Sequence, residues 1–71
     1  MEILVFKTNI RYKKQVSAVT GHMNNIDGVI RWNVDLNDSD KILRVEARGV
    51  SPGVVEHILL QAGYVCKELE D

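Results

Sequence analysis

The sequence predicts an α+β domain in which one four-stranded antiparallel sheet carries both helices on a single face. Three observations lead there. Strand and helix patterns follow one another in the order βαββαβ. A short polar turn, Asn37-Asp38-Ser39-Asp40, joins the two middle strand patterns as a hairpin. Ser51-Pro52 and Gly63 bracket the second helix, proline suiting a first helical turn and glycine its far end.

The elements can be justified in order. Residues 2–8 are rich in strand formers, with Ile3 and Val5 on one face and Leu4 and Phe6 on the other. Two apolar faces predict a central strand, covered by helix on one side. Thr8 to Arg11 form a loop in which Thr8 or Asn9 offers a cap. From Tyr12 to Ile26, Val16, Val19, Met23 and Ile26 recur at helical spacing. Asn24, Asn25, Asp27 and Gly28 end that helix. Val29 to Leu36 alternate, which places Ile30, Trp32, Val34 and Leu36 on the buried face and Arg31, Asn33 and Asp35 on the open one.

After the hairpin, Leu43 and Val45 alternate with Arg44 and Glu46. Val55, Ile58, Leu59 and Ala62 form the stripe of the second helix. Tyr64 to Leu69 read as a last strand with Val65 and Leu69 toward the helices and Cys66 toward the open face. Glu70-Asp71 reads as a frayed end. The expected core is Val16, Val19, Met23, Ile26, Val34, Val55, Ile58, Leu59 and Ala62. Six elements in this order make the split-βαβ, ferredoxin-like arrangement, with strand order 4-1-3-2. That topology brings the first loop (Thr8–Lys14), the hairpin and the Gly63–Tyr64 turn to one end.

Composition narrows the function classes. Seventy-one residues are expected to form one domain over 1–71. A core of that size leaves little room for a buried catalytic cleft, and no Ser/His/Asp, Cys/His or paired-carboxylate motif stands out. An enzyme is therefore not expected. A net charge of -1 supplies no global field toward nucleic acid or membrane. The single cysteine, Cys66, excludes an internal disulfide. No apolar run approaches the roughly 20 residues that cross a bilayer. The expected location is cytoplasmic.

The helix stripe Val19, Met23, Ile26, the strand ending Asn33-Val34-Asp35-Leu36, and Gln61-Ala62-Gly63-Tyr64 carry a resemblance that covers nearly the whole chain. With these residues in this order, the chain resembles the heavy-metal-associated domain of copper chaperones and metal-transport ATPases. That family binds a soft metal through C-x-x-C at the start of its first helix, thiolates matching Cu(I) and Zn(II). The resemblance places Tyr12 and Gln15 on the two cysteine positions, and Asn9-Ile10 where the family has Gly-Met. Phenol and carboxamide are poor soft-metal ligands. The resemblance thus implies the fold while the residues imply loss of metal delivery. No cofactor and no metal ligand is expected.

Arg11, Lys13 and Lys14 crowd a helix N-terminus, where positive charge opposes the helix dipole. They suit an anion or an acidic partner. Balance against Asp38 and Asp40 is the simpler account, since such surface pairs are common and weak. Cys66, His22 and His57 are the alternative ligand set for a metal carrier. A lone thiol is more often a small apolar residue, and histidines flanking a stripe are more often solvated. RNA-recognition domains share this topology but place aromatics on the central strands, where this chain has Arg44 and Glu46.

The functional expectation is a non-enzymatic domain of this fold without its thiolate pair. It would bind another protein with an acidic surface, and neither nucleic acid nor membrane. The docking residues are expected to be Arg11, Tyr12, Lys13, Lys14 and Tyr64.

Overall fold

The computed structural model describes residues 1–69; Glu70 and Asp71, the expected frayed end, lie outside the described residues. The elements are β1 (Glu2–Thr8), α1 (Lys13–Asn24), β2 (Val29–Asp35), β3 (Ile42–Ala47), α2 (Pro52–Gln61) and β4 (Cys66–Glu68). The sheet order is β2-β3-β1-β4 with every pair antiparallel, which is the expected 4-1-3-2 read from the other edge.

Alternation places Leu4, Phe6 and Thr8 of β1 on the same face as Leu43, Val45 and Ala47 of β3, and all six are buried. Phe6 stands opposite Leu43, and Leu4 opposite Val45. Val19 and Met23 of α1 and Val55 and Leu59 of α2 join the same cluster, so both helices lie on this one face. Complete burial of a side chain such as Phe6 or Leu59 contributes about 1.5–3 kcal/mol. The opposite sheet face exposes Ile3, Lys7, Arg31, Asn33 and Arg44 to water. There Arg31 Nε donates to Glu46 Oε2.

Two loop residues complete the core. Ile10 is fully buried in the turn before α1, and Val50 is 5% exposed just before α2. Ser51 is the N-cap of α2, so Val50 and Val55 occupy the paired positions of a hydrophobic staple. At the same end of the molecule, Gly28 has φ +95, and an added Cβ would meet Arg48 O at 2.4 Å. Only glycine lets the chain pass there, where Gly28 O accepts the Arg48 N–H at 2.8 Å.

Three expectations need correction. Ile30 is 53% exposed rather than buried. A β-bulge falls between Val29 and Arg31 and shifts the pairing by one residue. Val29 then packs on the core with Trp32 and Val34, while Ile30 turns outward. The parity of the last strand is also reversed. Cys66 pairs with Thr8, and Glu68 with Phe6, so the even positions share the helix face. Cys66 is accordingly 9% exposed and belongs to the core, while Val65 and Leu69 face solvent. Ile58 is half-buried and lies outside the core cluster; Leu59 fills that site. Val16, Ile26, Val34 and Ala62 pack around the core partly buried, and Val19, Met23 and Val55 are fully buried as expected.

Candidate functional site

The first loop, the hairpin and the α2–β4 turn do meet at one end, and backbone hydrogen bonds fasten them. Thr8 N–H donates to Asp40 O at 3.2 Å, and Asn9 N–H donates to Val65 O at 3.2 Å. Val65 N–H returns to Asn9 Oδ1 at 2.9 Å. Thr8 Oγ1 donates to Lys41 O at 2.6 Å and accepts the Ile10 N–H at 3.2 Å. Thr8 and Asn9 therefore clamp three chain segments and do not cap α1.

The N-cap position is Tyr12, and its phenol makes no capping bond. The capping oxygen comes from the other direction. Gln15 Oε1 accepts the N–H of Arg11 at 2.7 Å and of Tyr12 at 3.1 Å. This is the N3 half of a capping box, which satisfies backbone donors that a helix start leaves free. Gln15 thus has a structural duty at the position where the resemblance places a ligand cysteine.

Around this start the side chains are exposed and basic. Tyr12 is 62% exposed. Arg11, Lys13 and Lys14 are exposed as well, and the first turn of α1 contains no acidic residue. The nearby carboxylate Asp40 pairs instead with Lys7, Nζ to Oδ1 at 3.5 Å. Arg11, Lys13 and Lys14 make no ion pair among the described residues, so the expected balance with the hairpin does not form. Tyr64 is half-buried and packs on the core, which leaves only part of its ring outward. The exposed apolar neighbour is Val65, 61% exposed. Sequence parity had turned Val65 inward, and its carbonyl bond to Asn9 is what fixes it at this end.

A cavity of about 470 Å³ opens between the loop and the hairpin, lined by Lys7, Thr8, Asn9, Arg11, Tyr12, Ser39 and Lys41. A second, of about 330 Å³, lies on the other side of Asn9, with Val65 and Lys67 on its wall.

The donor set does not suit a soft metal. Gln15 Oε1 is committed to two N–H groups, and Tyr12 offers a phenol. Burial, with the Glu56 carboxylate nearby, pushes the Cys66 thiol up to about 12, so it keeps its proton at neutral pH. His22 is in the last turn of α1, nine residues and roughly 14 Å along the axis from Lys13. Cys66 lies beside Thr8 at the other end, so this histidine and the thiol do not converge. His57 is exposed. Among the described residues, no group of three or more His, Cys, Asp and Glu side chains is placed to hold a metal ion.

No family model matches this sequence, and no curated protein does. Solved structures do match. The yeast copper transporter domain Ccc2a superimposes with a TM-score of 0.85 at 14% identity, covering 100% of this chain and 99% of that one. The copper(I)-loaded first domain of the human copper chaperone for SOD1 gives 0.77 at 21% identity, covering 93% and 89%. A chain of the Atx1–Cu(I)–Ccc2a complex gives 0.81 at 14% identity, covering 100% and 99%. The fold is therefore that of the heavy-metal-associated domains of copper chaperones and copper-transporting proteins. This chain has that fold with one cysteine and no C-x-x-C.

Proposed function

We propose that the protein is a non-enzymatic interaction module that docks another protein through the end bearing the start of α1. One observation carries the reading. Arg11, Lys13 and Lys14 surround the exposed Tyr12 without a carboxylate partner among the described residues, where helix electrostatics favour acids. Such a cluster lowers stability slightly in the free protein and is relieved by an acidic surface. Tyr12, with the exposed Val65 and the outer part of Tyr64, supplies the apolar contact, tyrosine being frequent in binding hot spots. The lysines speed association and make it salt-sensitive. One of the matching structures is itself a complex between two proteins, which supports a protein partner for this fold.

The test is a pull-down with the wild-type protein and a Tyr12→Ala/Lys13→Glu/Lys14→Glu variant whose folded spectrum is unchanged. Recovery of the partner should fall in the variant and in high salt. Equal recovery at low salt would leave this end a solvated face. Equilibrium dialysis with Cu(I) and Zn(II) tests the metal-carrier reading. Submicromolar Cu(I) binding abolished by changing Tyr12 or Gln15 would replace the proposal.

A further inference from the structure

We infer that the cleft between the first loop and the β2–β3 hairpin is a binding site for a phosphomonoester dianion. The inference rests on the docking reading of this end and names the group that the end receives.

Four separate pieces of chain build the walls. Lys7 comes from β1, Arg11 and Tyr12 from the loop, Ser39 from the hairpin tip, and Lys41 from its exit. Three of these residues are cations. Two carboxylates stand in the hairpin beside them: Asp40 pairs with Lys7 at 3.5 Å, and Asp38 Oδ1 accepts the Asp40 N–H at 2.8 Å. Arg11 and Lys41 make no ion pair among the described residues, which leaves the cleft two uncommitted cations. A phosphomonoester carries close to two negative charges at neutral pH and three acceptor oxygens. Arg11 can meet two of those oxygens as a fork, and the Ser39 and Tyr12 hydroxyls and the Asn9 amide add neutral donors. The cavity of about 470 Å³ holds such a group with its organic substituent.

The walls are set before any ligand arrives. Thr8 fixes the hairpin to the loop through its N–H to Asp40 O and its hydroxyl to Lys41 O. Lys41 itself sits at φ 50, in the left-handed region that lysine seldom adopts. Its Nζ donates to Leu36 O at 2.6 Å, which holds the side chain along the hairpin and leaves two ammonium hydrogens for a ligand. The cost of that backbone is met by the clamp, and its result is a cation fixed on the cleft wall. The Arg11 and Tyr12 backbone N–H groups are already taken by Gln15, so recognition falls to side chains.

The experiment is an amide chemical-shift titration of the full chain with phenyl phosphate, and with the diester methyl phenyl phosphate as the singly charged control. Phenyl phosphate should shift the amides of Asn9, Arg11, Ser39 and Lys41, and bind at least tenfold more tightly than the diester. Arg11→Gln and Lys41→Asn should each weaken it at least fivefold; asparagine tolerates the left-handed backbone, so the fold survives the second change. Equal binding of monoester and diester, or unchanged binding in both variants, overturns the inference. A serine-phosphorylated and a tyrosine-phosphorylated peptide, titrated alongside, separate a phosphoprotein source from a small metabolite: tighter binding than phenyl phosphate assigns the former, weaker binding the latter. No partner recovered in the pull-down while phenyl phosphate still binds overturns the docking reading alone, and a recovered partner with no phenyl phosphate shifts overturns this inference alone.

Discussion

Thr8 and Lys41 are 33 positions apart, and the Thr8 hydroxyl donates to the Lys41 carbonyl oxygen across 2.6 Å. The Thr8 hydroxyl oxygen in turn accepts the Ile10 N–H at 3.2 Å, so one small side chain serves both walls of the end. Thr8 is buried, with its backbone N–H also spent on Asp40. Thr8→Val keeps the shape and removes the hydroxyl. It should cost about 1–3 kcal/mol, the usual penalty for stranding buried polar groups. Urea unfolding would measure it, and a loss under about 0.5 kcal/mol would mean that loop and hairpin are held by the backbone alone.

Adjacent α2 residues should differ in weight. Leu59 is fully buried in the cluster, whereas Ile58 is half-buried beside it. Leu59→Ala should cost about 2–5 kcal/mol. Ile58→Ala should cost about 1 kcal/mol, nearer the range of a partly exposed site. The order of the two unfolding midpoints checks the placement, and a reversed order would move Ile58 into the core.

The thiol of Cys66 gives a pH signature. Its ordinary value is 9.0, and burial with the Glu56 carboxylate raises it to about 12 in the folded chain. Between those values the native state keeps a proton that the unfolded state gives up. Stability should therefore be unaffected below about pH 9 and fall as the pH rises toward 12. Cys66→Ala should lose that share of the alkaline slope in denaturant melts. Iodoacetamide at pH 8 should label the folded protein slowly and the urea-unfolded chain fast; equal rates would place the thiol at the surface.

Gln15 can be tested by restoring the motif that the resemblance implies. Its carboxamide caps Arg11 and Tyr12 at the position where the resemblance to heavy-metal-associated domains implies a cysteine. Tyr12→Cys/Gln15→Cys should gain Cu(I) in equilibrium dialysis, since two thiolates then stand at the start of α1. It should also lose about 0.5–2 kcal/mol with the cap. A folded double variant that takes up no Cu(I) would show that this loop no longer has the shape of a metal site.

The helical stripes, the polar hairpin and the Ser51-Pro52 start were legible because each is a local pattern with a local cause. Phase was harder to read. The last strand has apolar or small residues on both faces, so composition could not say whether Val65 or Cys66 turns inward. The pairing of Cys66 with Thr8 decides it, and that is a long-range fact. Ile30 was misplaced for a related reason, since strict alternation carries no sign of a bulge. Ile10 and Val50 were missed as core, although each is a lone apolar residue in a polar stretch just ahead of a helix. At the functional end, the cationic cluster and Tyr12 could be read directly. The cleft could not, because its walls come from segments that only the Thr8 and Asn9 hydrogen bonds bring together.

The bulge at Val29–Arg31 has a consequence for how the molecule behaves in a crowd. Among the described residues β2 is an outer strand paired only with β3, and an unpaired flank of that kind invites a stranger's strand to extend the sheet. The extra residue breaks the regular spacing of its outward amides, and the exposed Arg31 adds charge just beyond the break. A strand arriving there finds a regular ladder over only Arg31–Asp35. The exposed isoleucine at position 30 is the side chain that this shortening of the regular edge turns toward water.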